Sequence, residues 1–388
     1  MKVAIVHDWL VIYGGAERVL EHIIDAYPDA DIFSLIDGVP LEQRGFLRGK
    51  IPKLSFMQKI PGVYKYYRKM LPIMPYAIEQ LDLSAYDLVI SSSYCVAKGV
   101  ITGPNQVHVC YCHSPMRYAW DHYFSYLKEM KLETGIKSLL TRIFLHKIRI
   151  WDVQNSFSVD LFIANSRFVR ERIWKFYRRK SQLLYPPIDT ELFTVKKELA
   201  GDFYVAAGRF VPFKRLDLVA EAFSTMPDKN LVLIGDGPEM EKIRLKAQGQ
   251  SNITFLGFAS PVVMQKYLSE AKALIFPSEE DFGILPVEAQ ACGTPVIAYA
   301  KGGALETVIG INHRVSEHQT PKPTGLFFFE QTAESLREAV KLFETLESSF
   351  DTQSIADHAK SYSPKNFKSG LTHFVNLALR EKAERLQS

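Results

Sequence analysis

Glu280 and Glu288 flank Phe282-Gly283-Ile284-Leu285-Pro286, inside a run from Ser278 to Pro295 that separates two predicted strands. Pro286 suits the first turn of a helix, where its missing N–H costs nothing. A helix opening there leaves the backbone N–H groups of Gly283, Ile284 and Leu285 at its N-terminus, a ready site for a phosphate. Glu280 precedes the turn and Glu288 lies inside the helix, so one carboxylate faces the helix mouth and the other its flank. Two such acceptors can hold hydroxyl groups on either side of a bound phosphate. The plainer alternative is a surface Glu280 and a Glu288 paired with the helix dipole.

Other loops carry compatible groups. Gly208-Arg209-Phe210-Val211-Pro212-Phe213-Lys214-Arg215 follows a predicted strand. Arg209 and Lys214 are placed there to neutralise a diphosphate at the carboxyl edge of a parallel sheet, where ligands bind. Gly14-Gly15 opens the first helix, and its backbone can approach an anion without side-chain obstruction. Gly235-Asp236-Gly237-Pro238 ends another strand and by itself reads as a turn. His113 ends the strand at 107–112 and is equally open to a structural role. Cys110 and Cys112 share one strand face with no second ligand pair in sight, so they read as core thiols. Asp29-Ala30-Asp31 is a literal Asp-x-Asp metal motif, but its place after Pro28 fits a turn better.

The elements that must position these residues alternate between short apolar runs and amphipathic segments. Strands are expected at 2–7, 31–36, 87–91, 107–112 and 161–165, with a helix at 16–27. A second series is expected at 203–207, 230–235, 252–256, 273–277 and 295–298. Such alternation predicts parallel strands joined by helical crossovers, in two α/β halves. Pro186-Pro187 can neither continue a helix nor occupy a central strand, which marks the joint. The expected division is a first domain over 1–184, a linker over 185–200, a second domain over 201–363 and a final helix over 364–388.

The 388 residues are 47% hydrophobic and carry a net charge of +4, which excludes disorder and the footprint of a nucleic-acid coat. Four cysteines without bridging patterns suit a reducing compartment, so a cytoplasmic location is expected. His7 and Asp8 interrupt the first apolar run before it could serve as a signal-peptide core. No acidic residue occurs over 43–78, where cations alternate with aromatics, and in 167–180 only Glu171 offsets seven cations. Both stretches suit an anionic membrane surface, against the alternative of ordinary solvated helix faces.

The string from Glu280 through Glu288 to Ala291-Cys292-Gly293-Thr294-Pro295 closely resembles the donor-site signature of retaining glycosyltransferases of family 4. The resemblance implies a GT-B fold of two Rossmann-like domains facing a cleft, with the final helix crossing back to the first. It implies that Glu288 holds the ribose diol of a sugar nucleotide and that Glu280 contacts the sugar. By the Gly-Arg-x-x-x-x-Lys pattern, Arg209 and Lys214 take the leaving diphosphate; Phe213 departs from the Glu that many members place before this Lys. Gly14 and Gly15 would face the diphosphate, Gly235 and Gly237 the base or ribose, and His113 the sugar, while Glu306 would be structural. No metal is expected, since cations and helix amides balance the diphosphate. The early Val6-His7-Asp8-Trp9-Leu10 and Gly14-Gly15-Ala16-Glu17-Arg18 look like bacterial surface-polysaccharide mannosyltransferases, implying GDP-mannose as donor and a lipid-linked glycan as acceptor. A GT-B epimerase or hydrolase, and a non-enzymatic membrane-associated protein, are the other readings.

Overall fold

The computed structural model describes residues 1–195, 201–247, 249–311 and 321–387; residues 196–200 of the expected linker lie outside these. The chain divides into a first unit, residues 1–187 with 367–388, and a second unit, residues 188–366. The division falls directly after Pro187, three residues beyond the expected domain end.

The first unit is built on seven parallel strands: β1 (Val3–His7), β2 (Asp31–Ser34), β3 (Lys53–Leu54), β4 (Leu88–Ser93), β5 (Val107–Cys112), β6 (Leu161–Ala164) and β7 (Ser181–Leu183). Their order is β3-β2-β1-β4-β5-β6-β7. Both faces of the central strands are covered, and every residue of β4 and β5 is buried, the three serines that end β4 and His108 of β5 included. On one face lie helix Gly15–Ala26, through Val19, Leu20, Ile23 and Ile24, and the final helix Pro364–Gln387, through Phe367, Leu371, Val375 and Ala378. The latter four recur at helical spacing, so the returning chain completes the core of the first unit. The other face is covered by residues 56–79 and by the helices Tyr123–Glu129 and Ile136–Ser156.

The second unit repeats the plan with β8 (Phe203–Ala207), β9 (Asn230–Ile234), β10 (Ile253–Gly257), β11 (Leu274–Phe276), β12 (Val296–Tyr299) and β13 (Gly325–Phe328). Their order is β10-β9-β8-β11-β12-β13, again parallel. In both sheets the winding reverses once, between β1 and β4 and between β8 and β11. Loops leaving the carboxyl ends of such neighbours diverge to opposite faces and open a crevice, the usual ligand position in this architecture. Strands β3, β7 and β13 were not expected; each is four residues or shorter, too brief to show a period.

Candidate active site

In the second unit, the loops after β8 and β11 meet at the reversal point. Lys214, at the end of a short turn Pro212–Lys214, donates to Glu280 Oε1 at 2.5 Å, and the Ser278 hydroxyl donates to the same oxygen at 2.8 Å. Both charged side chains are about one-fifth exposed, so the pair faces the crevice instead of lying in the core. A Cβ on Gly208 would come within 4.0 Å of the Lys214 ammonium, so the lysine folds back over the end of β8. An ammonium has three donors, and the bond to Glu280 uses one. Arg209, in the same loop, is exposed.

Glu280 is held from below by Gly302-Gly303. The Gly303 amide donates to the Glu280 carbonyl at 2.8 Å, and Gly302 has φ +67, with no room for a Cβ against that carbonyl oxygen. The next element is helix Ile284–Ala291, capped by Gly283 at φ +84. The structure therefore opens this helix where Pro286 predicted, with the Gly283, Ile284 and Leu285 amides at its mouth. Glu288 is buried in the helix flank. The helix ends at Gly293, whose φ of +81 suits the turn into β12.

Gly235 and Gly237 have a steric explanation in the protein itself. The amide of Phe210 donates to Asp236 and that of Glu239 to Phe210, locking the loops after β8 and β9 together. A Cβ at Gly235 would lie 1.9 Å from the Gly208 carbonyl oxygen, and one at Gly237 2.4 Å from that of Phe210. These glycines thus fix the backbone that carries Arg209 and Lys214.

The reversal point of the first unit gathers a second polar set. Asp8, just beyond β1, accepts from the amides of Tyr94, Cys95, Val96 and Ala97 at 2.5 to 3.1 Å, pinning the loop after β4. Burial pushes its carboxyl above the ordinary value, against the pull of those amides. The Ser92 hydroxyl lies 3.0 Å from His7 Nδ1 and 2.8 Å from His113 Nε2, joining the two rings, and His7 Nε2 faces Glu17 at 3.4 Å. Glu17 also accepts from the Gly14 amide at 3.0 Å. Gly14 caps helix Gly15–Ala26, and its amide is engaged by that first-turn carboxylate.

Residues 13–192 match the family described as Glycosyltransferase Family 4, and residues 188–361 match the one described as Glycosyl transferases group 1. The chain belongs to glycosyltransferase family 4. An uncharacterized glycosyltransferase of Methanocaldococcus jannaschii is 31% identical over 166 residues, 42% of this chain and 46% of that protein. The alpha-1,3/1,6-mannosyltransferase ALG2 of Kluyveromyces lactis is 23% identical over 77% of this chain and 67% of its own. The first of these relatives is thus matched over less than half its length. Among solved structures, Anabaena HepE, crystallised with UDP and glucose, superposes with a TM-score of 0.69 at 18% identity, covering 97% of this chain and 99% of its own.

Within this family 4 glycosyltransferase, the fold brings Lys214, Glu280 and the Gly283–Leu285 amides to one crevice of the second unit, and Gly14, Gly15 and His113 to one end of the first sheet. Asp8, Glu17 and Ser92 were missed as site residues; the placement of His7-Asp8 directly after an apolar run was the available signal. The Asp-x-Asp motif is a turn and strand start, with Asp31 held by Lys53 at 3.0 Å and Tyr86 at 2.5 Å. Several cations of the two basic stretches have partners within the fold. Arg44 pairs with Asp37, Arg48 with Glu21 and Asp25, Lys50 with the Ala30 carbonyl and Lys53 with Asp31, so half the cations of 43–78 serve the fold. In 167–180, Arg172 pairs with Asp121 and Arg179 binds the Ser156 and Val159 carbonyls.

Burial, with a contribution from His7, pushes His113 down to about 3, and burial pushes His108 down to about 4. Their ordinary value is near 6.5, so between 6.5 and the lowered values the unfolded chain binds more protons than the folded one. Stability is therefore full above pH 6.5 and is lost as pH falls, by about 1.4 kcal/mol per unit per histidine. All four tryptophans lie in the first unit, so urea unfolding followed by their fluorescence should show a lower midpoint at pH 5 than at pH 7. Replacing His108 by Gln should flatten that dependence, and an unchanged slope would contradict the assignment.

Proposed function

We propose that this protein is a retaining hexosyltransferase that moves a sugar, mannose in our reading, from a sugar nucleotide to a lipid-linked glycan of a surface polysaccharide. The observation that carries the reading is the Lys214–Glu280 pair at the sheet-reversal point, beside the open helix N-terminus at Gly283. A diphosphate on those amides would meet Lys214 and Arg209, the charges needed when the anomeric C–O bond breaks and its electrons pass to the departing phosphate. Glu288 then holds the ribose diol and Glu280 the sugar hydroxyls. In the first unit, the Gly14-Gly15 turn and His113 are assigned to the donor.

With Glu280 on the sugar hydroxyls, this reading assigns no carboxylate to attack the anomeric carbon. The reading therefore has the acceptor oxygen form its bond on the face that the diphosphate leaves, its proton passing to a leaving phosphate oxygen. Retention follows from that same-face exchange. The diphosphate charge is taken by Lys214, Arg209 and the helix amides without a metal ion in this scheme. Mannose rests on the likeness to ALG2, whereas the HepE structure holds UDP and glucose, so the nucleotide is the decisive variable.

The test is a screen of GDP-, UDP- and ADP-sugars with a lipid-linked glycan, with and without EDTA, reading the nucleotide released. GDP release from GDP-mannose that needs the acceptor and survives EDTA is expected. Release that ignores the acceptor would indicate a hydrolase or epimerase, and no release from any donor would overturn the enzymatic reading.

A further inference from the structure

The helix Ile136–Ser156 has two unlike faces. Its inner face, including Leu145 and Ile148, is buried over the first sheet. Its outer face is also apolar: Ile136, Leu139, Leu140, Ile143, Ile150 and, just past its end, Phe157 are exposed, Ile136 to 79% and Phe157 to 67%. At 3.6 residues per turn these six fall within a stripe about 100° wide. Only Lys147 and Gln154 interrupt the exposed apolar residues within that arc, and an exposed row of this kind marks a contact surface.

The charges around the stripe are predominantly cationic. The helix carries Lys137, Arg142, Lys147 and Arg149, and its one acidic residue, Asp152, is buried on Lys98. The adjacent helix Arg167–Tyr177 extends the face with exposed Arg167, Lys175 and Trp174 against one exposed carboxylate, Glu171, and Arg178 follows it. Residues 56–79, on the same face of the sheet, add exposed Tyr64, Tyr66 and Tyr76. Cations and ring-bearing side chains around an apolar row match a bilayer's interface, where anionic headgroups overlie acyl chains. By contrast, neither helix on the opposite face of the sheet, Gly15–Ala26 or Pro364–Gln387, has an exposed large apolar residue among those described.

We propose that the outer face of helix Ile136–Ser156 docks the first unit on an anionic lipid bilayer, with the apolar stripe inserted and the flanking cations on headgroups. A second copy of the chain is a poorer occupant, because pairing two cationic faces would repel. The proposal stands on the surface alone and does not depend on the donor or the chemistry.

Vesicle flotation of the full chain tests it, using phosphatidylglycerol–phosphatidylcholine mixtures against phosphatidylcholine alone. Binding to the anionic vesicles that falls with added salt is expected. The triple variant Leu139→Gln, Leu140→Gln, Ile143→Gln should lower partitioning at least tenfold. Lys137→Gln with Lys147→Gln, which leaves the apolar residues intact, should lower it about fivefold for each cation lost. Tryptophan-monitored unfolding midpoints that match the parent would show that both variants fold. Absence of vesicle binding, equal binding by either folded variant, or a concentration-dependent dimer that the triple variant makes monomeric without changing vesicle binding would overturn the proposal.

Discussion

Lys214→Ala is expected to lower kcat by about 10²- to 10³-fold, the size seen when one donor to a developing oxyanion is removed, while folding changes little. The ammonium lies one bond from Glu280 and folds over Gly208, at the carboxyl end of β8 where the second unit presents its crevice. Its ion pair is partly exposed, and such pairs contribute about 0 to 1 kcal/mol to stability. Glu280 would retain the Ser278 hydroxyl. Activity and stability should therefore separate in this variant. Steady-state turnover of the sugar nucleotide, set beside a thermal melt, checks both. Undiminished kcat would remove Lys214 from the leaving-group role, and a matching collapse of the melt would make the residue structural.

Asp152→Ala should do the reverse, destabilising the first unit by about 3 to 5 kcal/mol, the cost of leaving a buried charge without its partner. Lys98 is 2% exposed and Asp152 fully buried. The carboxylate also accepts from Trp120 Nε1 and the Tyr177 hydroxyl, each at 2.8 Å. It ties the loop after β4 to helix Ile136–Ser156 and to helix Arg167–Tyr177. Against a total stability of about 5 to 15 kcal/mol, such a loss is severe. Because Trp120 and Trp151 border the pair, guanidinium unfolding read by tryptophan emission reports on it directly. The double variant Lys98→Met, Asp152→Leu should recover only part of the loss: no charge is then stranded, but the Trp120 N–H and the Tyr177 hydroxyl still lack their acceptor. A single variant within about 1 kcal/mol of the parent would contradict this account.

The local grammar of the chain was legible where it is short-range. The central strands are largely apolar because helices or loops cover both faces, and strands β5 and β8 fall at their expected residues. Pro286 and Gly283 signal a helix start through their own backbone constraints, without any distant partner. Partnerships across long separations left no such trace. Lys214 finds Glu280 66 residues on, and Asp8 holds amides more than 80 residues away. Neither pairing has a sequence period, because each is created by the strand order. The same holds for the basic runs: composition counted Arg44 and Arg172 as free surface charge, whereas tertiary partners hold them. Gly235 and Gly237 read as a turn near a ligand, yet their need for hydrogen in place of a Cβ comes from another loop's carbonyls.

The most direct measurement is a crystal structure of the full chain soaked with GDP. The account predicts a β-phosphate within about 3 Å of Lys214 Nζ and of an amide among Gly283, Ile284 and Leu285, with the ribose hydroxyls on Glu288. A nucleotide bound elsewhere, with neither Lys214 nor those amides touching phosphate, would contradict it.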